Sequence, residues 1–160
     1  MQCYVLELST WANSLKTLGP SRLSVPDETP CWDAGGLLVD RFIAGVPYAQ
    51  NKIRGDLEAP QKWTQAVIEQ CQHWPPPKGP CRLEVEFVLP TDKFPKDFPF
   101  GMDLDNLLKR LLDALGKTVL KDLPGKDSAI VDLRASKRPA RNGEATGARV
   151  IIREYQSSLP

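Results

Sequence analysis

The sequence predicts an α+β domain: a four-stranded, mixed and largely antiparallel sheet with two helices on one face, in the order β-α-β-α-β-β, preceded by an N-terminal extension. Three observations predict it. Residues 81–89, CRLEVEFVL, alternate Leu83, Val85, Phe87 and Leu89 with Arg82, Glu84, Glu86 and Val88, the period-two pattern of a half-buried strand. Residues 103–115, DLDNLLKRLLDAL, place Leu104, Leu108, Leu111, Leu112 and Leu115 on one side of a helix and Asp103, Asn106, Lys109, Arg110 and Asp113 on the other. The chain's 160 residues, 41% hydrophobic and 26% charged, have the length and composition of one globular domain.

Residues 1–35 hold a short strand candidate, YVLEL, and then turn formers, LGPSRLSVPDETPCWDAGG, with no clear period, an extension wrapped on the domain at 36–160. GLLVDRFIAGVPY, residues 36–48, is the first core strand, ended by Gly45 and Pro47. After the loop YAQNKIRGDLEAP, the segment PQKWTQAVIEQCQHW opens a helix with proline in its first turn. Trp63, Val67 and Cys71 recur in it at helical spacing as a core face. WPPPKGP stops this helix, because proline donates no backbone hydrogen bond and restricts the residue before it. The alternating strand follows, and PTDKFPKDFPFG leads from it into the leucine-rich helix. Beyond that helix come the loop GKTVLKDLPGKD and two more strands, SAIVDLRASK (128–137) and ARVIIREY (148–155), joined through RPARNGEATG.

No run approaches the roughly 18 apolar residues of a membrane helix, and the start MQCYVLELSTWANSLK lacks a basic leader followed by an apolar block. The expectation is a cytoplasmic protein with no membrane partner. Cys3, Cys31, Cys71 and Cys81 form no C-x-x-C pair, so reduced, partly buried thiols are expected rather than a zinc site with His73. The net charge of +1 hides an asymmetry: residues 1–100 carry 10 Lys/Arg against 12 Asp/Glu, and residues 101–160 carry 11 against 8. RASKRPAR, residues 134–141, holds four cations and no acid, a local basic surface.

The start of the leucine-rich helix asks for an explanation beyond packing. Asp103 as an N-cap, Asp105 at the positive end of the helix dipole and an Asp105–Lys109 ion pair are its structural uses, worth some tenths of a kcal/mol to about 1 kcal/mol each. A second use is a metal site. Carboxylates two residues apart at a loop-to-helix junction can converge, and two of them about 4 Å apart repel by several kcal/mol at an effective dielectric near 20 unless a cation lies between them. An all-oxygen ligand set favours Mg²⁺ or Mn²⁺ over zinc. The third carboxylate expected is Asp127, just before a strand able to lie beside the helix; Asp122 is the nearby competitor, and Asp132 faces the opposite side.

DLDNLLKRLLDAL followed, after a loop, by KDSAIVDLRASK resembles the signature of the RusA family of Holliday junction resolvases. That signature runs Asp-x-Asp-Asn-x-x-Lys-x-x-x-Asp-Ala-Leu, then a loop ending in Asp-Asp, a strand and a lysine. The element order agrees from about Phe42 to Tyr155, and the motif in detail over residues 103–137. Lys126 stands where the family commonly has the first of two aspartates.

The resemblance implies a homodimeric, Mg²⁺-dependent endonuclease, bacterial or phage-encoded, that cuts four-way DNA junctions symmetrically, with Mn²⁺ as a substitute metal. It implies Asp103, Asp105 and Asp127 as metal ligands, Lys109 as the essential lysine, and Asn106, Asp113 and Lys137 in supporting positions. Lys52, Arg54, Arg134, Lys137, Arg138 and Arg141 are the cations expected to neutralise DNA phosphates, an interaction that depends on salt more than on base sequence. Phe94, Phe98 and Phe100 are candidates for a junction wedge or a dimer contact. The alternatives are a relative that binds branched DNA without cutting it, and a protein-interaction module on the same fold.

Overall fold

The computed structural model describes residues 36–49, 58–93 and 102–155. The N-terminal extension, the loop with Lys52 and Arg54, and the segment with Phe94, Phe98 and Phe100 lie outside them. Six principal elements form in the expected order: β1 (Leu37–Ala44), α1 (Ala59–Cys71), β2 (Cys81–Leu89), α2 (Leu104–Leu115), β3 (Ile130–Pro139) and β4 (Gly147–Glu154). Short 3₁₀ turns at Thr91–Lys93 and Lys126–Ala129 flank the second half.

The strands lie side by side in the order β1-β4-β2-β3. β4 runs antiparallel to β1 and to β2, whereas β2 and β3 are parallel. Thus β1, β2 and β3 share one direction and β4, inserted between the first two, opposes them. A parallel pair needs a crossover rather than a hairpin, and α2 is that crossover. Both helical connections step the same way across the sheet, and with the usual right-handed crossover both helices land on one face.

That face is the core. Leu83, Val85, Phe87 and Leu89 of β2, Ala148, Val150 and Ile152 of β4, and Val39 and Ile43 of β1 are almost completely buried. α1 meets them with Trp63, Val67 and Cys71, as their spacing predicts. In α2 the fully buried residues are Leu107, Leu111, Ala114 and Leu115, while Leu104, Leu108 and Leu112 are half-buried. The core stripe is therefore rotated from the one the leucine pattern suggests. A helix rich in leucine presents more apolar surface than the sheet covers, and its flank packs only in part.

Two pairs of hydrogen bonds fix the helices in place. The Ala44 N–H donates to Gln70 Oε1 at 2.9 Å and Gln70 Nε2 returns a bond to the Ala44 carbonyl at 2.9 Å, which closes the end of β1 on α1. Arg110 Nη1 donates to the Pro60 carbonyl at 3.2 Å and to Thr64 Oγ1 at 3.1 Å, so α2 is tied to the first turns of α1. The opposite face of the sheet carries both signs of charge. There Arg149 holds Asp40 through two hydrogen bonds, 3.0 and 2.8 Å, across the β1–β4 seam.

Gly147 opens β4 because nothing larger fits. A Cβ there would stand 2.1 Å from the Ile43 carbonyl oxygen and 2.7 Å from the Phe42 ring, which lies over it. β3 is different from the other strands: none of its ten residues is fully buried, and it ends in Pro139, a residue sheets accept at an edge.

Candidate active site

Asp103 occupies the N-cap position of α2 with extended backbone (φ −61°, ψ 133°), yet its side chain caps no helix N–H. Instead Asn106 Nδ2 donates to Asp103 Oδ2 at 3.3 Å, a bond that the i to i+3 spacing makes available. Asp105, in the first turn, is exposed, as is Lys109 one turn later. Among the described residues no ion pair engages either of them. The structural uses expected of these charges, cap and i,i+4 pair, are not realised, and the carboxylates stand open to solvent at the positive end of the helix.

Two further contacts converge on the residue before Asp103. Lys137 Nζ donates to the Met102 carbonyl, and the Ala49 N–H donates to Met102 Sδ at 3.3 Å. Met102 itself is buried. Lys137 lies level with Phe87 in the sheet and so points to the helix side. Its ammonium consequently sits at the entrance of α2, and the last described residue before the Lys52–Arg54 loop sits there too.

Asp127 is elsewhere. It lines a cavity of about 290 Å³ together with Leu112, Asp113, Gly116, Lys117 and Lys126, at the C-terminal end of α2. The reason is topological: α2 runs back along the sheet, so the strand it feeds, parallel to β2, begins beside the helix end rather than beside its start. Asp113 and Asp127 are thereby brought together, about 15 Å along the helix axis from Asp103. Among the described residues no three acids, histidines or cysteines gather in one metal-sized cluster. Gly125 (φ 77°) and Lys126 (φ 49°) turn the chain sharply into the 3₁₀ segment that holds Asp127.

The cations expected to meet DNA divide between the two faces. Arg134 and Arg138 point from β3 to the open face of the sheet, and Arg141 is exposed in the loop beyond. Arg138 is engaged: Nη1 and Nη2 bind the two oxygens of Glu144 at 2.7 and 2.6 Å, and Nε lies 3.1 Å from Glu86. The hydrogen bonds from Arg138, with a further one from the Arg141 N–H, bring the Glu144 carboxyl down to about 2. On the same face the Arg149 guanidinium lowers Asp40. In the interior, burial pushes the Cys71 thiol up to about 12 and also raises Cys81; both are free thiols.

Sequence reading missed the Glu144 clamp, although the spacing R-P-A-R-N-G-E, a turn between cations and an acid, contains its signal. It also missed the grip of Lys137 on Met102, for which the only signal is the alternation that sets Lys137 opposite in facing to Arg138. No curated protein matches the chain. Residues 56–153 match the family model for endodeoxyribonuclease RusA.

The chain belongs to the RusA family. The matched segment runs from just before α1 to Arg153 in β4 and includes every candidate acid together with Lys109 and Lys137. RusA proteins are metal-dependent endonucleases that bind branched DNA and resolve Holliday junctions. The donors here suit that chemistry, being carboxylate oxygens of the kind that hard divalent ions prefer. Within the chain, however, they fall into two pairs, Asp103 with Asp105 and Asp113 with Asp127. Among the described residues no helix is long and apolar enough to cross a membrane.

Proposed function

We propose that this chain is a Mg²⁺-dependent, structure-selective endodeoxyribonuclease that resolves four-way junctions as a homodimer. The observation that carries the reading is the exposure of Asp103 and Asp105 at the start of α2, where Asp103 caps no helix N–H and Asp105 and Lys109 enter no ion pair among the described residues. In the family's own motif, that arrangement favours a metal site over a helix cap.

Asp103 and Asp105 would hold the metal, which supplies a polarised phosphate and an acidified water for in-line hydrolysis. Asn106 steadies the Asp103 carboxylate through its 3.3 Å bond. Lys109, one turn from Asp105, presents a fixed positive charge where negative charge develops on the phosphate. Lys137 holds the Met102 carbonyl and so sets the backbone from which Asp103 projects. Arg134 and Arg141, with Lys52 and Arg54, supply phosphate contacts, while Arg138 serves the fold through Glu144 and Glu86. Two-fold symmetry fits the substrate, since a junction offers two equivalent cleavage points.

The test is cleavage of a synthetic four-way junction with and without Mg²⁺. Wild type is expected to cut, and Asp105→Asn, which leaves α2 intact by circular dichroism, to lose at least about 100-fold in rate. Failure of wild type to cut across Mg²⁺ and Mn²⁺ titrations, with the junction still shifted on a gel, would leave a binding protein only. Absence of binding to any DNA form would leave the interaction module.

A further inference from the structure

The start of α2 lacks the usual means of holding its first carboxylate still. Asp103 bonds no helix N–H, and Asn106, which donates to it, belongs to the same turn. A helix end secured only by its own first turn frays. Mg²⁺, by contrast, accepts oxygens only in near-octahedral geometry at about 2.0–2.1 Å. The tie to the rest of the fold lies one residue earlier, at Met102.

Met102 is 8% exposed and belongs to the core cluster. It is gripped from two directions. Its Sδ accepts the Ala49 N–H at 3.3 Å, from the chain that leaves β1, and its carbonyl accepts Lys137 Nζ, from near the end of β3. β1 and β3 are the two edges of the sheet, three strand spacings or roughly 14 Å apart, so the two grips come from separate parts of the framework. The next residue, Asp103, is then spanned between this anchor and the first helical bond, in which the Leu107 N–H donates to the Asp103 carbonyl at 3.1 Å.

Packing does not call for methionine here. Leucine fills a core position of this volume about as well. What leucine lacks is the acceptor. Ala49 is itself buried, 8% exposed, and an N–H of that kind left without a partner is costly enough for the local chain to shift and seek another. A long unbranched thioether reaches across an irregular gap and accepts that bond, weakly but in a fixed direction.

We propose that Met102 is a positioning residue for the metal site: its thioether and carbonyl together fix the backbone from which Asp103 projects and, through the first turn, the placement of Asp105. This rests on the nuclease reading above. It adds a residue that carries no charge and touches neither metal nor DNA.

Met102→Leu and Met102→Gln decide it. Met102→Leu keeps the volume and removes the acceptor; Met102→Gln supplies an amide oxygen able to accept the Ala49 N–H. With the circular dichroism of α2 retained, Met102→Leu is expected to bind Mn²⁺ about 10-fold more weakly, read by electron paramagnetic resonance without DNA. Its kcat on a four-way junction should fall about 10-fold while KM stays within about 2-fold of wild type, the split expected when the chemical step and not substrate binding is disturbed. Hydrogen exchange at the Leu107 amide should quicken in the metal-free protein, a readout that needs neither metal nor DNA. Met102→Gln should return Mn²⁺ affinity to within about 3-fold of wild type. Wild-type Mn²⁺ affinity and Leu107 exchange in Met102→Leu, beside an active wild type, would overturn the role of Met102 and leave the nuclease reading standing. Equal loss in the two variants would assign the effect to packing rather than to the acceptor and overturn it as well. A wild type that neither binds Mn²⁺ nor cuts a junction would overturn the nuclease reading, and the metal role of Met102 with it.

Discussion

Leu111→Ala and Lys109→Ala, two residues apart on α2, are expected to fail in opposite ways. Leu111 is 0% exposed within the core cluster, whereas Lys109 lies on the solvent side and engages no ion pair among the described residues. Truncating a fully buried leucine removes its transfer free energy and leaves a cavity that the sheet and α1 fill only in part, about 3–4 kcal/mol. With a urea slope of about 2 kcal/mol/M, the midpoint should fall by about 1.5–2 M. Lys109→Ala removes no packing and places a better helix former on the exposed side, so its stability should lie within about 0.5 kcal/mol of wild type. Junction cleavage should show the reverse order: nearly unchanged for Leu111→Ala well below its midpoint, and strongly reduced for Lys109→Ala. Urea titrations followed by circular dichroism, paired with cleavage rates in the same buffer, provide both readouts. Equal destabilisation by the two variants, or a loss under 1 kcal/mol for Leu111→Ala, would refute the assignment of packing to one side of α2 and chemistry to the other.

Other expectations follow from particular contacts. Because Arg138 brings the folded-state carboxyl of Glu144 to about 2 from the usual 4.5, its contribution is fully present above pH 4.5 and lost as pH falls toward 2. Urea midpoints of wild type and Glu144→Gln should therefore differ most at pH 6, draw together below pH 4.5 and converge only as pH falls through about 2; a gap that does not narrow over that range would show that the clamp is not electrostatic. Lys126 holds a left-handed backbone, φ 49°, that asparagine adopts more readily, so Lys126→Asn should stabilise by up to about 1 kcal/mol in thermal denaturation. Gly147→Ala forces a methyl against the Ile43 carbonyl and the Phe42 ring and should cost roughly 3 kcal/mol, with Gly79→Ala, where a Cβ meets no atom and the backbone is not left-handed, as the control for space.

Period-two alternation located β2 to the residue, and the acid motif located the start of α2, because in both a repeating chemical contrast matches a repeating geometry. Which leucines of α2 reach the interior was less legible. Seven apolar side chains cover more than half of that helix, and the way it packs on the sheet and α1 buries Leu107 and leaves Leu108 half-buried. The site divides in the same way. Asp103, Asp105, Asn106 and Lys109 are local to one helix start, so spacing alone places them together. The position of Asp127 depends on whether β3 enters the sheet parallel or antiparallel to β2, a long-range choice that no local spacing encodes. Arg138 shows a related limit: a run of cations reads as a binding surface until the fold brings Glu144 and Glu86 to one of them.

The insertion of β4 between β1 and β2 sets an order of events for synthesis. The first and last strands are partners, joined by contacts such as Asp40 with Arg149, 109 residues apart in sequence. A nascent chain stopped before Gly147 holds β1 with no neighbour and β2 with one side open, whatever its helices have done. The sheet therefore closes only once β4 has left the ribosome, and until then the apolar rows of β1 and β2 depend on chaperones or on α1 for cover.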